Sequence, residues 1–271
     1  MPGVSVTVIC RDEAHHLEDA LRSVAWADEI IVVDSGSTDG TPGIARRFTD
    51  RVIVREWPGY AAQKEYAASL AANDWILSID ADERVSAALA AEIREVIQRE
   101  PREAAFRMPR MTRHFGRWLR TTDAYPDYQV RLYNRRRARW KPLDVHESVT
   151  ADGPVGTLRN DLLHEGDDTV EQRKAKLRRY AELSAREMRR KGRRGGAIAL
   201  LLHPPAAFLR SYILRRGFMD GRAGLRVSLL QAYYVFHKFA CLREQRSPTS
   251  GAGLEGPRER GGQAGRRGPR R

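Results

Sequence analysis

Trp75-Ile-Leu-Ser-Ile-Asp-Ala-Asp-Glu83 is an apolar run that ends abruptly in three carboxylates. Strand-forming residues bounded by Asn73-Asp74 on one side and Asp80 on the other predict an interior strand of a parallel sheet. Ligands of such sheets gather outside the carboxyl ends of the strands, where Asp80, Asp82 and Glu83 fall. Carboxylates this close repel one another unless a cation neutralises them. Hard divalent ions such as Mg²⁺ or Mn²⁺ take oxygen ligands and keep positions open for phosphate. The stretch therefore reads as a metal site beside a diphosphate. An Asp-x-Asp taken alone is more often a solvated turn capping the next helix, so its neighbours decide.

Upstream, Val4 to Ile9 has the branched residues of a buried strand, and Leu17, Ala20, Leu21 and Val24 recur at helical spacing behind it. Glu29 to Val33 is a second strand, ended by Asp34-Ser-Gly-Ser-Thr-Asp-Gly-Thr41, a turn that opens a short helix from Pro42. A short strand from Val52, an Ala-rich helix from Tyr60 to Ala72, the strand ending in Asp80 and a helix from Ala87 to Gln98 complete the half. Four strands alternating with helices make an α/β fold with a doubly wound, mostly parallel sheet. Asp34 and Asp80 then share one rim. There Asp34 can accept hydrogen bonds from a ribose or a base N–H, or it can serve only to cap its own turn. Neither a Gly-x-Gly-x-x-Gly nor a Walker lysine follows the first strand, which argues against a dehydrogenase or a P-loop enzyme.

The 271 residues suffice for one large domain and an appendage, and the formal charge of +13 calls for an anionic partner. Two cysteines, Cys10 and Cys241, have no knuckle or disulfide spacing, so a reducing compartment is expected. No secretory leader is legible at the start. From Glu244 onward Gly, Pro, Ser and Arg dominate, with seven Arg against three Glu, which predicts a disordered basic tail.

Cys10-Arg-Asp-Glu13, Ala27 through Thr41, Ala62-Gln-Lys64, Trp75 through Glu83, Tyr125 through Tyr133, Val145-His-Glu147 and Gly217-x-x-Asp-Gly221 together resemble the inverting family 2 glycosyltransferases. Within that family they are similar to the bacterial branch of lipopolysaccharide core glucosyltransferases. The one departure is Cys10-Arg11-Asp12, where relatives often carry Thr-Tyr-Asn. The resemblance implies a GT-A-type sheet with a C-terminal helical appendage. It implies that Asp34 contacts the nucleoside, Asp80 the ribose side and Asp82 a divalent metal, Mg²⁺ or Mn²⁺, bridging the donor diphosphate, with Glu13 near the same pocket. Lys64 either contacts the donor or is a surface lysine of an Ala-rich helix.

From Ala105 the chain changes to short strand-like pieces crowded with arginine and aromatic residues, which suit an acceptor-facing half. Arg131 alternates with Val130 and Leu132, so it either offers a guanidinium to phosphate or decorates a solvated strand face. Inverting transfer needs a base for the acceptor hydroxyl. Glu147 and Asp127 are the candidates, with Glu147 preferred because it follows the apolar run from Trp140. His164 either completes the metal shell or is a core histidine.

The expected organisation is a nucleotide-sugar and acceptor domain over residues 1–165, a helical appendage over 166–243 and the tail over 244–271. Thr169 to Arg190 predicts a long helix. The stretch from Ala197 to Leu209 falls short of the roughly 20 residues that span a bilayer, and Pro204-Pro205 interrupts it. Apolar anchors flanked by arginines suit a segment lying on an anionic leaflet, or a plain appendage docked on the sheet.

The expected function is transfer of a hexose, glucose by the resemblance, from a UDP-linked sugar to a lipid-linked saccharide. The expected place is the inner face of the cytoplasmic membrane. A basic nucleic-acid-binding protein is the alternative; it explains the charge but not the acidic rim, so nucleic acid is not the expected partner. A nucleotidyltransferase would need a Gly-rich basic loop after the first strand, which Cys10 to His16 does not supply.

Overall fold

The computed structural model describes residues 2–141, 148–166, 169–193 and 195–244. The chain runs β1 (Val4–Cys10), α1 (Leu17–Ser23), β2 (Glu29–Asp34), α2 (Thr41–Ala45), β3 (Val52–Val54), α3 (Tyr60–Ser69), β4 (Trp75–Asp80), β5 (Glu83–Val85) and α4 (Ala87–Gln98). It continues with β6 (Ala105–His114), β7 (Arg117–Trp118), β8 (Asp127–Asn134), β9 (Ala138–Lys141), β10 (Ser148–Ala151), β11 (Val155–Thr157) and β12 (Leu162–Gly166). Three helices follow, α5 (Val170–Arg190), α6 (Ala197–Leu209) and α7 (Gly221–Glu244).

The main sheet has the order β3-β2-β1-β4-β8-β6-β12-β5. Its first four strands are parallel, as the alternation of strands and helices requires. β8 then joins antiparallel to β4 and β6, so most of the arginine-rich second half extends the same sheet, while β9 and β10 pair antiparallel in a two-stranded sheet of their own. Alternation of side chains puts Val4, Val6, Val8, Leu77 and Ile79 into one core with α1 and α4. Ile9, Ile31, Val33 and Ile76 enter a second core with α3 on the other face. Both faces are covered, as in a doubly wound fold.

α4 begins where Ser86 stops the strand geometry: its Oγ accepts the Leu89 N–H at 3.2 Å. Leu89, Ile93 and Ile97 then lie one above another against the sheet. Ser86→Ala leaves a helix N–H without that acceptor and is expected to cost about 1 kcal/mol, read as a lower urea midpoint at unchanged slope.

Pro204 and Pro205 do not interrupt the apolar helix. α6 runs through both and continues as a π turn over Arg210–Leu214. The prolines forfeit two backbone bonds, but their fixed φ is helical and α6 is held from the side by α7. Ala197–Leu214 is the one helix among the described residues long and apolar enough to cross a membrane.

The appendage is tied to the sheet domain through the segment before β8. Asp220 takes the Thr121 hydroxyl and Arg117, while Asp123 takes Arg210 at 3.0 Å. Gly217 packs against Ser211, Ser228 and Thr122, where a Cβ would lie 3.0 Å from all three, and a Cβ on Gly224 would strike the Gly217 carbonyl. The Gly217-x-x-Asp-Gly221 motif is thus a latch.

Candidate functional site

β1 ends between β2 and β4, with Cys10 opposite Asp34 and Ile9 opposite Asp80, so the two acidic tips flank one strand at the same rim. Asp80 shares the face of Ile76, and Asp34 that of Val32. The carboxylates therefore leave the rim on opposite sides of the sheet.

Asp34 is 1% exposed and turned inward. Its Oδ2 accepts the N–H groups of Gly36 and Ser37 at 3.1 and 2.9 Å, and its Oδ1 accepts the Ser37 hydroxyl. Gly36 supplies the left-handed φ of +79° that this tight loop needs. In this conformation Asp34 caps its own turn. That turn holds the one after β1, since Asp12 takes the Thr38 N–H at 2.7 Å and the Glu13 N–H reaches Thr41 at 2.8 Å. Glu13 lies beside His15 and His16, with their ligating atoms within 4.8 Å of one another.

Asp80 faces α3, and Lys64 meets it: Nζ lies 2.9 Å from Oδ1. Lys64 is 1% exposed and sits 4.6 Å from the Trp140 ring, so it is no surface lysine. Arg131 reaches the other oxygen of Asp80 at 2.5 Å and Glu83 at 2.7 Å. Arg110 bridges Glu83 at 3.2 Å to Asp127 at 2.7 Å. Glu83 also accepts the Asp80 N–H at 3.0 Å, which folds the Asp80-Ala-Asp-Glu83 turn back on itself. Burial works against charge on Asp80, but Arg131 and Lys64 outweigh it and hold the carboxyl well below the usual carboxylate range.

These contacts revise the reading of three adjacent carboxylates. Asp80 and Glu83 are neutralised by the chain's own cations, and Glu83 is fully buried. Arg131 neither presents a fork to phosphate nor lies on a solvated face; the sheet encloses it, and its Nε has no partner among the described residues. Arg110 escaped sequence reasoning altogether. Its cross-strand partner Asp127 was legible as a candidate, but the pairing of β6 with β8 that joins them was not.

Asp82 is different. Its Oδ2 faces the Nε2 of His164 at 3.1 Å, and the opposite nitrogen of that ring meets the Thr112 hydroxyl at 3.1 Å. β12 makes this possible by running between β5 and β6, with His164 in register with Glu83 and Thr112. The Asp82 side chain is 32% exposed and that of His164 19%, so the pair stands at the surface of the rim and not in the core. A carboxylate oxygen and an imidazole nitrogen converging from two strands, the ring oriented by a hydroxyl behind it, suit a divalent ion.

Asp127 has both oxygens engaged, by Arg110 and by Gln129 Nε2 at 2.8 Å. Glu147 and His146 lie outside the described residues, as does the basic tail. Arg110 and Arg131 are both held in ion pairs, Arg110 with Glu83 and Asp127 and Arg131 with Asp80 and Glu83.

The model of the family described as Glycosyl transferase family 2 matches residues 5–152. An uncharacterized glycosyltransferase of Rickettsia bellii is 32% identical over 253 residues, covering 89% of this chain and 86% of the relative. The lipopolysaccharide core biosynthesis glycosyltransferase LpsC of Rhizobium meliloti is 30% identical over 240 residues, covering 86% and 89%. Among solved structures, S. aureus TarS 1–349 aligns over 88% of this chain and 91% of its own with a TM-score of 0.47 and 14% identity, too distant to bear on the site. The family match takes in both acidic strand tips and more than half of the chain, and the relatives extend it across the appendage: this protein belongs to glycosyl transferase family 2.

Proposed function

We propose that the protein transfers a hexose from a UDP-linked sugar, with inversion, to a lipid-linked saccharide of the lipopolysaccharide core type on the cytoplasmic side of the membrane. The observation that carries this reading is the Asp82–His164 pair, open at the rim while the adjoining carboxylates are already neutralised. The name of the Rhizobium meliloti relative supports the acceptor class.

Asp82 and His164 would hold the metal, and when bound it would offset the charge of the departing diphosphate. The imidazole favours Mn²⁺ over Mg²⁺, since Mg²⁺ prefers an all-oxygen shell. Lys64, Arg131 and Arg110 fix Asp80 in its charged form on the donor side. In the transfer the acceptor oxygen bonds to the anomeric carbon, the bond to the diphosphate breaks, and the hydroxyl proton goes to a base. Glu147 is our choice for that base, because Asp127 is held by Arg110 and Gln129.

A panel of nucleotide sugars with Mn²⁺, with Mg²⁺ or with chelator tests the reading by thermal unfolding. One donor at a hundredfold excess over its dissociation constant should add about 2.7 kcal/mol, a rise of roughly 5–10 °C that chelator removes and Mn²⁺ supports better than Mg²⁺. A panel in which no sugar nucleotide moves the transition, with metal or without, would refute it.

A further inference from the structure

α6 and the turn behind it leave a stripe of large apolar side chains bare. Ile198, Leu201, Leu202, Leu209, Ile213 and Leu214 are each more than half exposed, the most open being Leu214 at 77%. At 100° per residue the first four fall within one sector of about 100° of the helix, and Ile213 continues it through the π turn. The opposite side is spent: Ala207 is buried and Leu200 partly buried against Val235, Phe239 and Leu242 of α7. Phe218 and Met219, also more than half exposed, extend the bare surface beyond the turn. A contiguous apolar face of this size is uncommon on a protein surrounded by water alone.

The border of the stripe identifies its occupant. Arg215, Arg216 and Arg222 are all exposed, and Arg216 and Arg222 have no ion-pair partner among the described residues. A second copy of this face would bring those arginines against one another, whereas the phosphates of an anionic leaflet neutralise them. The length of the helix would allow it to cross the bilayer, but its packing argues against that. It is packed lengthwise on α7, which carries Arg222, Arg226, Lys238 and Arg243, and spanning would draw those charges into hydrocarbon.

We infer that α6 with residues 210–219 is a monotopic docking surface that lies in the plane of an anionic phospholipid leaflet, its leucine and isoleucine stripe among the acyl chains and Arg215, Arg216 and Arg222 at the phosphates. This rests on the lipid-linked acceptor reading and gives it an address. The Asp123 and Asp220 contacts bind this surface to the segment that enters β8, so the docked face and the acceptor half of the site are held in one orientation.

The full chain, incubated with sucrose-loaded vesicles of phosphatidylcholine alone or with phosphatidylglycerol, is sedimented at low and high salt. Binding is expected to the anionic vesicles and to weaken with salt. Leu201→Glu with Leu202→Glu should lower the partition coefficient by about tenfold or more, and Arg215→Gln with Arg216→Gln by a few-fold. Both pairs are exposed, and donor-induced thermal stabilisation should be unchanged in each, which separates failure of docking from failure of the sugar-nucleotide reading. Equal binding by wild type and the Leu201/Leu202 variant, or no binding with a dimer that the same variant dissociates, would overturn the inference; the second result would make the face an interface between copies.

Discussion

Arg131→Met is expected to remove about 3–5 kcal/mol of folding stability, a large share of what a domain of this size has. The volume is nearly conserved, so the loss is electrostatic. Arg131 is the shared partner of Asp80 and Glu83, and Glu83 has no water to fall back on. Without the guanidinium, Lys64 still serves Asp80 and Arg110 still touches Glu83 at 3.2 Å, but Arg110 is shared with Asp127, so two cations are left for the three carboxylates that three cations balanced. Urea unfolding reads the loss directly. Adding Glu83→Gln to Arg131→Met should recover part of it, because the second change removes the charge that the first leaves stranded. A variant as stable as wild type would mean that Arg131 contributes nothing to holding the rim together.

Asp82→Ala is expected to lower the transfer rate by about 10³ or more, equivalent to roughly 4 kcal/mol of transition-state stabilisation, while the unfolding transition without ligand barely moves. The contrast with Arg131 follows from position. Asp82 is a third exposed and its side chain meets His164 alone among the described residues, so its loss strands no buried charge. Mn²⁺-dependent stabilisation by the donor should vanish with it. His164→Ala should weaken Mn²⁺ more than Mg²⁺, as the nitrogen ligand serves the softer ion. Retention of full turnover by Asp82→Ala would remove the metal role from that side chain.

The parallel half of the sheet was legible because its signals are local. Four apolar runs ending in Asp or a turn, each followed by helical spacing, place Asp34 and Asp80 on one rim without any knowledge of distant contacts. Which way the side chains then point was less so. Asp34 turns into its own loop, an outcome that the run of Ser and Gly around it allowed as readily as a ligand contact. Lys64 looked like any lysine on an Ala-rich helix because α3 has almost no amphipathic pattern; its burial is dictated by Asp80 and Trp140, sixteen and seventy-six positions away. Arg110, Arg131 and Glu83 belong to pairings between strands that are far apart in the chain, and a single sequence carries no record of those. The double proline misled for a different reason: it penalises a helix locally, while packing against α7 decides globally.

The pairing of β6 with β8 shifts register between Phe106 and Arg107, so that Phe106 faces Leu132, Arg107 faces Val130, and Arg131 is the residue passed over. The inner half of the strand delivers Leu132 and Tyr133 to the two cores, and the outer half delivers Asp127 to Arg110. The halves keep different phases, and Arg131 is the joint between them. Val130 and Leu132 thus face opposite sides of the sheet although they are two positions apart, so excising Arg131 would leave both ends in phase and take away only the guanidinium that the extra residue exists to deliver to Asp80 and Glu83.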